Sequence, residues 1–226
     1  MTIFSKVISI IFHPVFTVVY SYLIYFNIQN IYNQMLFLAA PKIYWALLFF
    51  LFLMIVFFPL LTIYFMYRTK AISSMSIPIR KERLPVLILV TIYYLMTYYI
   101  FRYWNSTLLN LFHPYLSFLF AGLVLIVTLT VITYFWKISL HSSSISALCG
   151  GMMAETLIAH PVGGQEQVFY INMALLVFIG LVSFSRLFLK AHTLSQTVAG
   201  IALGFSLAFS LVFFQFYFCN YLSFLA

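Results

Sequence analysis

Apolar residues in this chain run in long blocks broken by short polar interruptions. The blocks extend over about Val7–Phe26, Ile43–Phe65, Pro85–Phe101, Tyr115–Trp136, Ile145–Ala159, Val168–Leu189 and Leu194–Phe218. Roughly 20 apolar residues in helical form cross a hydrocarbon layer. The pattern therefore predicts an all-α, polytopic transmembrane bundle of six to seven spans, forming a single integral membrane domain over residues 1–226. The fifth block is the shortest and carries Glu155 together with Gly150 and Gly151, small residues that let another helix approach closely. No small-residue cleavage site follows the first block, which is expected to stay in place as a span. No internal repeat, low-complexity stretch or linker divides the chain.

Composition sharpens this picture. The chain is 65% hydrophobic and 6% charged over 226 residues, with a mean hydropathy of +1.10. Its net charge of +8 is spread over loops, which points to phosphate headgroups of membrane lipids as partners and not to nucleic acid. If seven blocks cross, the N-terminus and the second-to-third, fourth-to-fifth and sixth-to-seventh connections share one side. That side then holds Lys6, Arg68, Lys70, Arg80, Lys81, Arg83, Lys137, Arg186 and Lys190, against Lys42 and Arg102 opposite. This charge bias favours the cytoplasm for the crowded side.

Asp is absent, and the acids are Glu82, Glu155 and Glu166 alone. A magnesium-dependent phosphatase or kinase needs carboxylates to hold its metal. The five histidines show no metal-ligand spacing, so neither a metal nor another cofactor is expected. Cys149 and Cys219 read as small buried hydrophobes. An acid inside an apolar block is a functional candidate, and Glu155 is expected either to pair with a loop Arg or to serve a structural role. His13-Pro14, His113-Pro114 and His160-Pro161 read as helix ends or kinks. Tyr93, Tyr94, Tyr98 and Tyr99 read as lipid-facing or interfacial.

Three connections on the crowded side carry the candidate chemistry. They read Arg80-Lys81-Glu82-Arg83-Leu84-Pro85, Lys137-Ile138-Ser139-Leu140-His141-Ser142-Ser143-Ser144, and Ser185-Arg186 followed after five residues by His192 and, four further on, by Gln196. Two histidines and several cations thus converge at one membrane interface, an arrangement suited to an anion and a nucleophile. Thr193-x-x-Gln196 also has the form of a capping box opening the last helix.

In order and spacing these fragments resemble the signatures of the type 2 phosphatidic acid phosphatase (PAP2) superfamily. The third fragment resembles its SRxxxxxHxxxD pattern, Ser139-Leu140-His141 its SGH pattern, and Arg83-Leu84-Pro85 the end of its KxxxxxxRP pattern. The resemblance covers about residues 43–218. It implies a metal-independent phosphatase acting on a lipid phosphate or polyprenyl diphosphate through a phosphohistidine. His192 is then the nucleophile, oriented by Gln196 through its other ring nitrogen, and His141 the general acid. Arg83 and Arg186 pair with phosphate oxygens; Ser139, Ser142 and Ser185 add contacts, those of Ser142 at the positive end of a helix. Three positions depart from the pattern: Ser76 stands where the family has Lys, Leu140 where it has Gly, and Gln196 where it has a carboxylate. Lys137 is the expected substitute for the missing Lys. The departures leave open a lipid-phosphate binder or translocator, or a lipid phosphotransferase, on the same scaffold. The resemblance favours a bacterial inner membrane with the site facing the periplasm, opposite to the charge bias; oligomeric state is left open.

Overall fold

Lipid offers backbone N–H and C=O groups no partner, so apolar blocks of this length fold as helices that satisfy those groups internally. The computed structural model describes residues 1–75, 77, 79–104, 112, 114–158 and 164–225, with backbone alone for 31, 32 and 215–225. Among these residues there are ten α-helices and no strand. They are α1 (Thr2–Ile11), α2 (Thr17–Asn27), α3 (Ile31–Ala39), α4 (Pro41–Leu51), α5 (Phe58–Arg68), α6 (Arg80–Tyr103), α7 (Leu116–Phe135), α8 (Leu140–Ile158), α9 (Gln165–Phe188) and α10 (Leu194–Leu225). Six segments among the described residues are long and apolar enough to cross a membrane: α1 with α2, α4 with α5, and α6, α7, α9 and α10 singly. The protein is an integral membrane protein built as an all-α polytopic bundle.

Two spans are interrupted, each at a proline. The first block, expected as one helix, breaks between α1 and α2. His13 takes an extended conformation, φ −66° and ψ 138°, before the short 3₁₀ turn Pro14–Phe16, as a residue preceding proline tends to. Between α4 and α5 the chain widens into a π-helical stretch, Phe52–Phe57, immediately before Pro59. A proline ring crowds the carbonyl four residues back, and a wider turn gives it room. A third difference concerns α6, which begins at Arg80 rather than near Pro85. Arg80, Lys81 and Glu82 are good helix formers, so the charged stretch that reads as loop by hydropathy forms the first turn. Arg83 therefore sits on a helix.

The fifth block became the innermost helix. From Ser142 to Met152 every residue of α8 except Ala147 is buried. Its small side chains let α10 come to backbone contact. A Cβ on Gly200 would lie 2.9 Å from both the Ser139 carbonyl and Ser143 Oγ, one on Gly204 would collide with the Ser143 carbonyl, and one on Gly150 with the Phe205 carbonyl. Cys149, on the same helix, is buried. Packing of this kind, and not the hydrophobic effect, is what holds helices together in lipid.

Aromatic side chains fill the other half of the core. Tyr22, Phe26, Tyr44, Phe112 and Tyr115 are fully buried. Their hydroxyls find partners: Tyr22 Oη donates to the Tyr44 carbonyl at 2.8 Å, and Tyr115 Oη lies 2.6 Å from Ser21 Oγ. Of the tyrosines expected at the lipid boundary, Tyr99 is 62% exposed. Tyr94 instead turns inward, where it faces Gly122 of α7. Of the other positions singled out in the sequence, Ser76, His113, His160 and the Cys219 side chain lie outside the described residues.

The α8–α10 contact makes a direct prediction. Gly204→Ala must separate the two helices and should lower the thermal unfolding temperature of the detergent-purified protein by several degrees, the counterpart of ~1–3 kcal/mol of overpacking. Gly180→Ala, which meets nothing within 4 Å, serves as the neutral control. Equal behaviour of the two variants would show that the contact carries little stability.

Candidate functional site

The site begins with how α9 ends. Lys190 adopts the left-handed conformation, φ 51°. The Lys190 N–H donates to the Leu187 carbonyl and the Ala191 N–H to the Arg186 carbonyl, the paired bonds of a Schellman ending. The chain then reverses, and α10 opens with a reciprocal cap. The Thr193 N–H donates to Gln196 Oε1 at 3.3 Å, and the Gln196 N–H to Thr193 Oγ1 at 3.4 Å. His192 is held between these two devices, 7% exposed.

Its tautomer follows from the same bonds. A backbone N–H can only donate, so the Gln196 atom it meets is the carbonyl oxygen. That oxygen also lies 3.1 Å from His192 Nδ1, so Nδ1 carries the proton and donates. In the neutral ring Nε2 is left with a free lone pair. Burial, chiefly, pushes the His192 imidazole down to about 4; the Gln196 bond opposes this, while the nearby charges of Arg83, Arg186 and Lys137 add to it. At neutral pH the ring is uncharged.

Ser139, buried, ties the second fragment to the third. Its N–H donates to the Gln196 carbonyl at 3.3 Å, while its hydroxyl meets Ser142 Oγ at 3.0 Å and caps the first turn of α8. His141 follows in that turn. Its Nε2 lies 3.1 Å from the Ser9 carbonyl, which can only accept, so Nε2–H donates.

Ser9 on α1, missed by sequence reasoning, is available because of the broken first span. Pro14 has no N–H to offer the Ile10 carbonyl. The His13 N–H bonds to Ile10 instead of to Ser9, and the Ser9 carbonyl is left for His141. Ser9 Oγ accepts from Arg186 Nη1 at 3.3 Å. The His13 ring stands edge-on to His141, with centroids 5.1 Å apart and planes at 85°. The His13-Pro14 dipeptide was the available signal; its partner, 128 positions further along the sequence, was not legible locally.

The cations complete the site. Arg83, 9% exposed, donates through Nε to the Ile77 carbonyl at 2.9 Å. Ile77 is held at φ 45°, a strained conformation for a β-branched residue. Arg186 Nε is buried without a hydrogen-bond partner among the described residues. Lys137 is half-buried, and burial, followed by the charges of Arg83 and Arg186, lowers its ammonium from the usual lysine range. No carboxylate stands among them. The Glu82 carboxylate accepts from the Ser73 N–H and hydroxyl. Glu155 bonds to Asn33 about 21 Å down α8 from His141 at ~1.5 Å per residue, so it serves that distant end of the bundle and pairs with no loop Arg.

These residues open on one cavity of about 480 Å³. Ser9, His13, Arg83, His141, Arg186 and His192 line its polar end; the rest of its wall is chiefly aliphatic side chains of α2, α5, α6, α7, α8 and α10, with Thr17, Ser21 and Ser144 among them. The sequence-derived set thus divides. Arg83, His141, Arg186 and His192 face the cavity, with Gln196 behind His192. Lys137 stands beside them in electrostatic reach. Ser139 and Ser142 serve the start of α8, and Ser185 Oγ, buried, donates to the Leu181 carbonyl at 2.8 Å; none of the three lines the cavity. Among the described residues no three His, Cys, Asp or Glu side chains are grouped to hold a metal ion. Comparison with family models, curated proteins and solved structures finds no match for this chain.

The titration of His192 can be read directly. Folded, the ring takes its proton only as pH falls through about 4; unfolded, it does so near 6.5. The native state thus binds fewer protons in between, and this group lowers stability as pH falls from about 6.5 towards 4. Histidine-selective NMR, with the His192 signal assigned from its loss in His192→Ala, should find that ring neutral to about pH 4, and Gln196→Glu should raise it by one unit or more by placing a carboxylate against it. A His192 ring titrating near 6.5 in the parent protein would contradict the enclosed site.

Proposed function

We propose that the protein hydrolyses a phosphate or diphosphate ester of a membrane lipid, without a metal, through a phosphohistidine on His192. One observation carries the reading: a single cavity joins a cation-rich end holding three histidines to a long apolar interior. A phosphorylated amphiphile has that same division. The resemblance of the three fragments to the type 2 phosphatidic acid phosphatases supports the same chemistry.

In the first step His192 Nε2 attacks phosphorus. A P–N bond forms and the bond to the lipid oxygen breaks. Arg83 and Arg186 neutralise the non-bridging oxygens, where the Arg fork matches phosphate geometry. The leaving oxygen takes a proton from His141. With Nε2–H engaged by the Ser9 carbonyl, Nδ1 is the ring atom left to carry that proton, taken up together with the anionic substrate. In the second step water attacks the phosphohistidine and gives its proton to His141. Inorganic phosphate leaves, and His192 returns to its neutral state. Gln196 fixes the attacking ring but supplies no negative charge, so the positive ring of the intermediate is less stabilised than beside a carboxylate.

The test is phosphate release from lipid phosphates in detergent with a chelator present. The parent protein should remain active, with His192→Ala reduced to background and His141→Ala lowered by about 10²–10⁴-fold, the range for a lost general acid. Activity abolished by the chelator, or retained in His192→Ala, overturns the mechanism. Tight lipid-phosphate binding without release from any lipid would favour a binder or translocator on the same scaffold.

A further inference from the structure

The apolar wall of the cavity has a shape of its own. From Arg83, α6 presents Val86, Val90 and Tyr94 to the cavity at successive turns, while α7 runs past in the opposite sense. Arg83 and Tyr94 are eleven positions apart, a depth of about 16 Å at ~1.5 Å per residue. There the Tyr94 ring closes over Gly122: a Cβ on Gly122 would stand 2.9 Å from Tyr94 Cε1. Beside them Phe118 is backed by packed rings, stacked on Tyr115 at 5.8 Å and 5.3 Å from Tyr25. The Tyr115 hydroxyl is in turn bonded to Ser21 Oγ and the Val18 carbonyl. A floor fixed in this way cannot recede to admit a longer ligand.

We infer that this wall is a pocket for one hydrocarbon chain, that Tyr94 against Gly122 sets the longest chain admitted, and that the substrate is a single-chain lipid phosphate. The inference rests on the proposed phosphatase reading for the headgroup alone. Volume and depth agree. A space of about 480 Å³ running about 16 Å along α6 at ~1.5 Å per residue suits a phosphate and one hydrocarbon chain. The chain leaves lipid for a wall as apolar as lipid, so longer chains gain nothing from the transfer. Selection is steric.

A homologous series of n-alkyl phosphates and a two-chain phosphatidate, each at the same mole fraction in detergent micelles, tests this by phosphate release. Thermal stabilisation by the matching n-alkyl phosphonates, which carry no ester bond to cleave, reads the pocket separately from turnover. Both signals should hold up to the chain that fills the pocket. They should then fall roughly tenfold for longer chains and for the two-chain lipid, in keeping with the cost of overpacking. Tyr94→Ala should move the cut-off to longer chains, and Gly122→Ala, by pushing the ring into the pocket, to shorter ones. A phosphatidate handled as well as the best single chain, or a cut-off unmoved in both variants, overturns the inference. Release without any cut-off leaves the phosphatase and removes the pocket; a cut-off in stabilisation without release from any lipid leaves the pocket and removes the phosphatase.

Discussion

The backbone contact between α8 and α10 is the constraint on which the rest of this molecule depends. Gly200 and Gly204 lie against the start of α8, where side chains would collide with the Ser139 and Ser143 carbonyls. That approach allows the Ser139 N–H to reach the Gln196 carbonyl. The first turn of α8, which bears His141, and the loop bearing His192 are thereby fixed to each other by main-chain atoms. A pair of histidines placed through flexible side chains alone would have to be held by weaker means. Here the serines at the head of α8 are used structurally: their hydroxyls bond within the first turns, so that polar residues can lie buried in the centre of a membrane bundle.

Against this rigid frame stand cations with no acid among them. Arg83 and Arg186 are largely withdrawn from solvent, and Lys137 feels both. A cation withdrawn from water at a membrane costs several kcal/mol unless an opposite charge meets it. Glu82, next to Arg83 in sequence, is turned to Ser73 instead. On the proposed reading, the missing negative charge is the one a phosphate ligand brings. Burial chiefly, with the same positive field adding to it, holds His192 neutral, the form in which the Nε2 lone pair is free. On that reading electrostatics links binding to nucleophilicity: the groups that would attract the anion also help burial to keep the attacking nitrogen unprotonated.

Much of this was legible in the chain, for local reasons. The apolar blocks gave the spans because lipid permits little else. His192 and Gln196 lie one helical turn apart, and their bond follows from that spacing. Gly150 and Gly151 marked a helix that others approach closely, and α8 is that helix. What escaped reading depended on distant partners or on misjudged ends. The start of α6 was hidden because hydropathy scores Arg80-Lys81-Glu82 as loop although all three favour helices. Tyr94 was read as interfacial because nothing in its own sequence tells which side of α6 meets Gly122. Ser9 and His13 entered the site through a proline that frees one carbonyl, and the residue that uses it comes from α8.

The central claim is that His192 Nε2 bonds to phosphorus, and oxygen exchange tests it without knowledge of the lipid. Inorganic phosphate labelled with heavy oxygen would form the phosphohistidine and release labelled water; attack by ordinary water then returns phosphate with one label lost. Incubated with the detergent-purified protein and followed by mass spectrometry, labelled phosphate should lose its heavy oxygen stepwise, and His192→Ala should abolish the loss. No exchange above the protein-free rate, or the same exchange in His192→Ala, would contradict a nucleophilic His192.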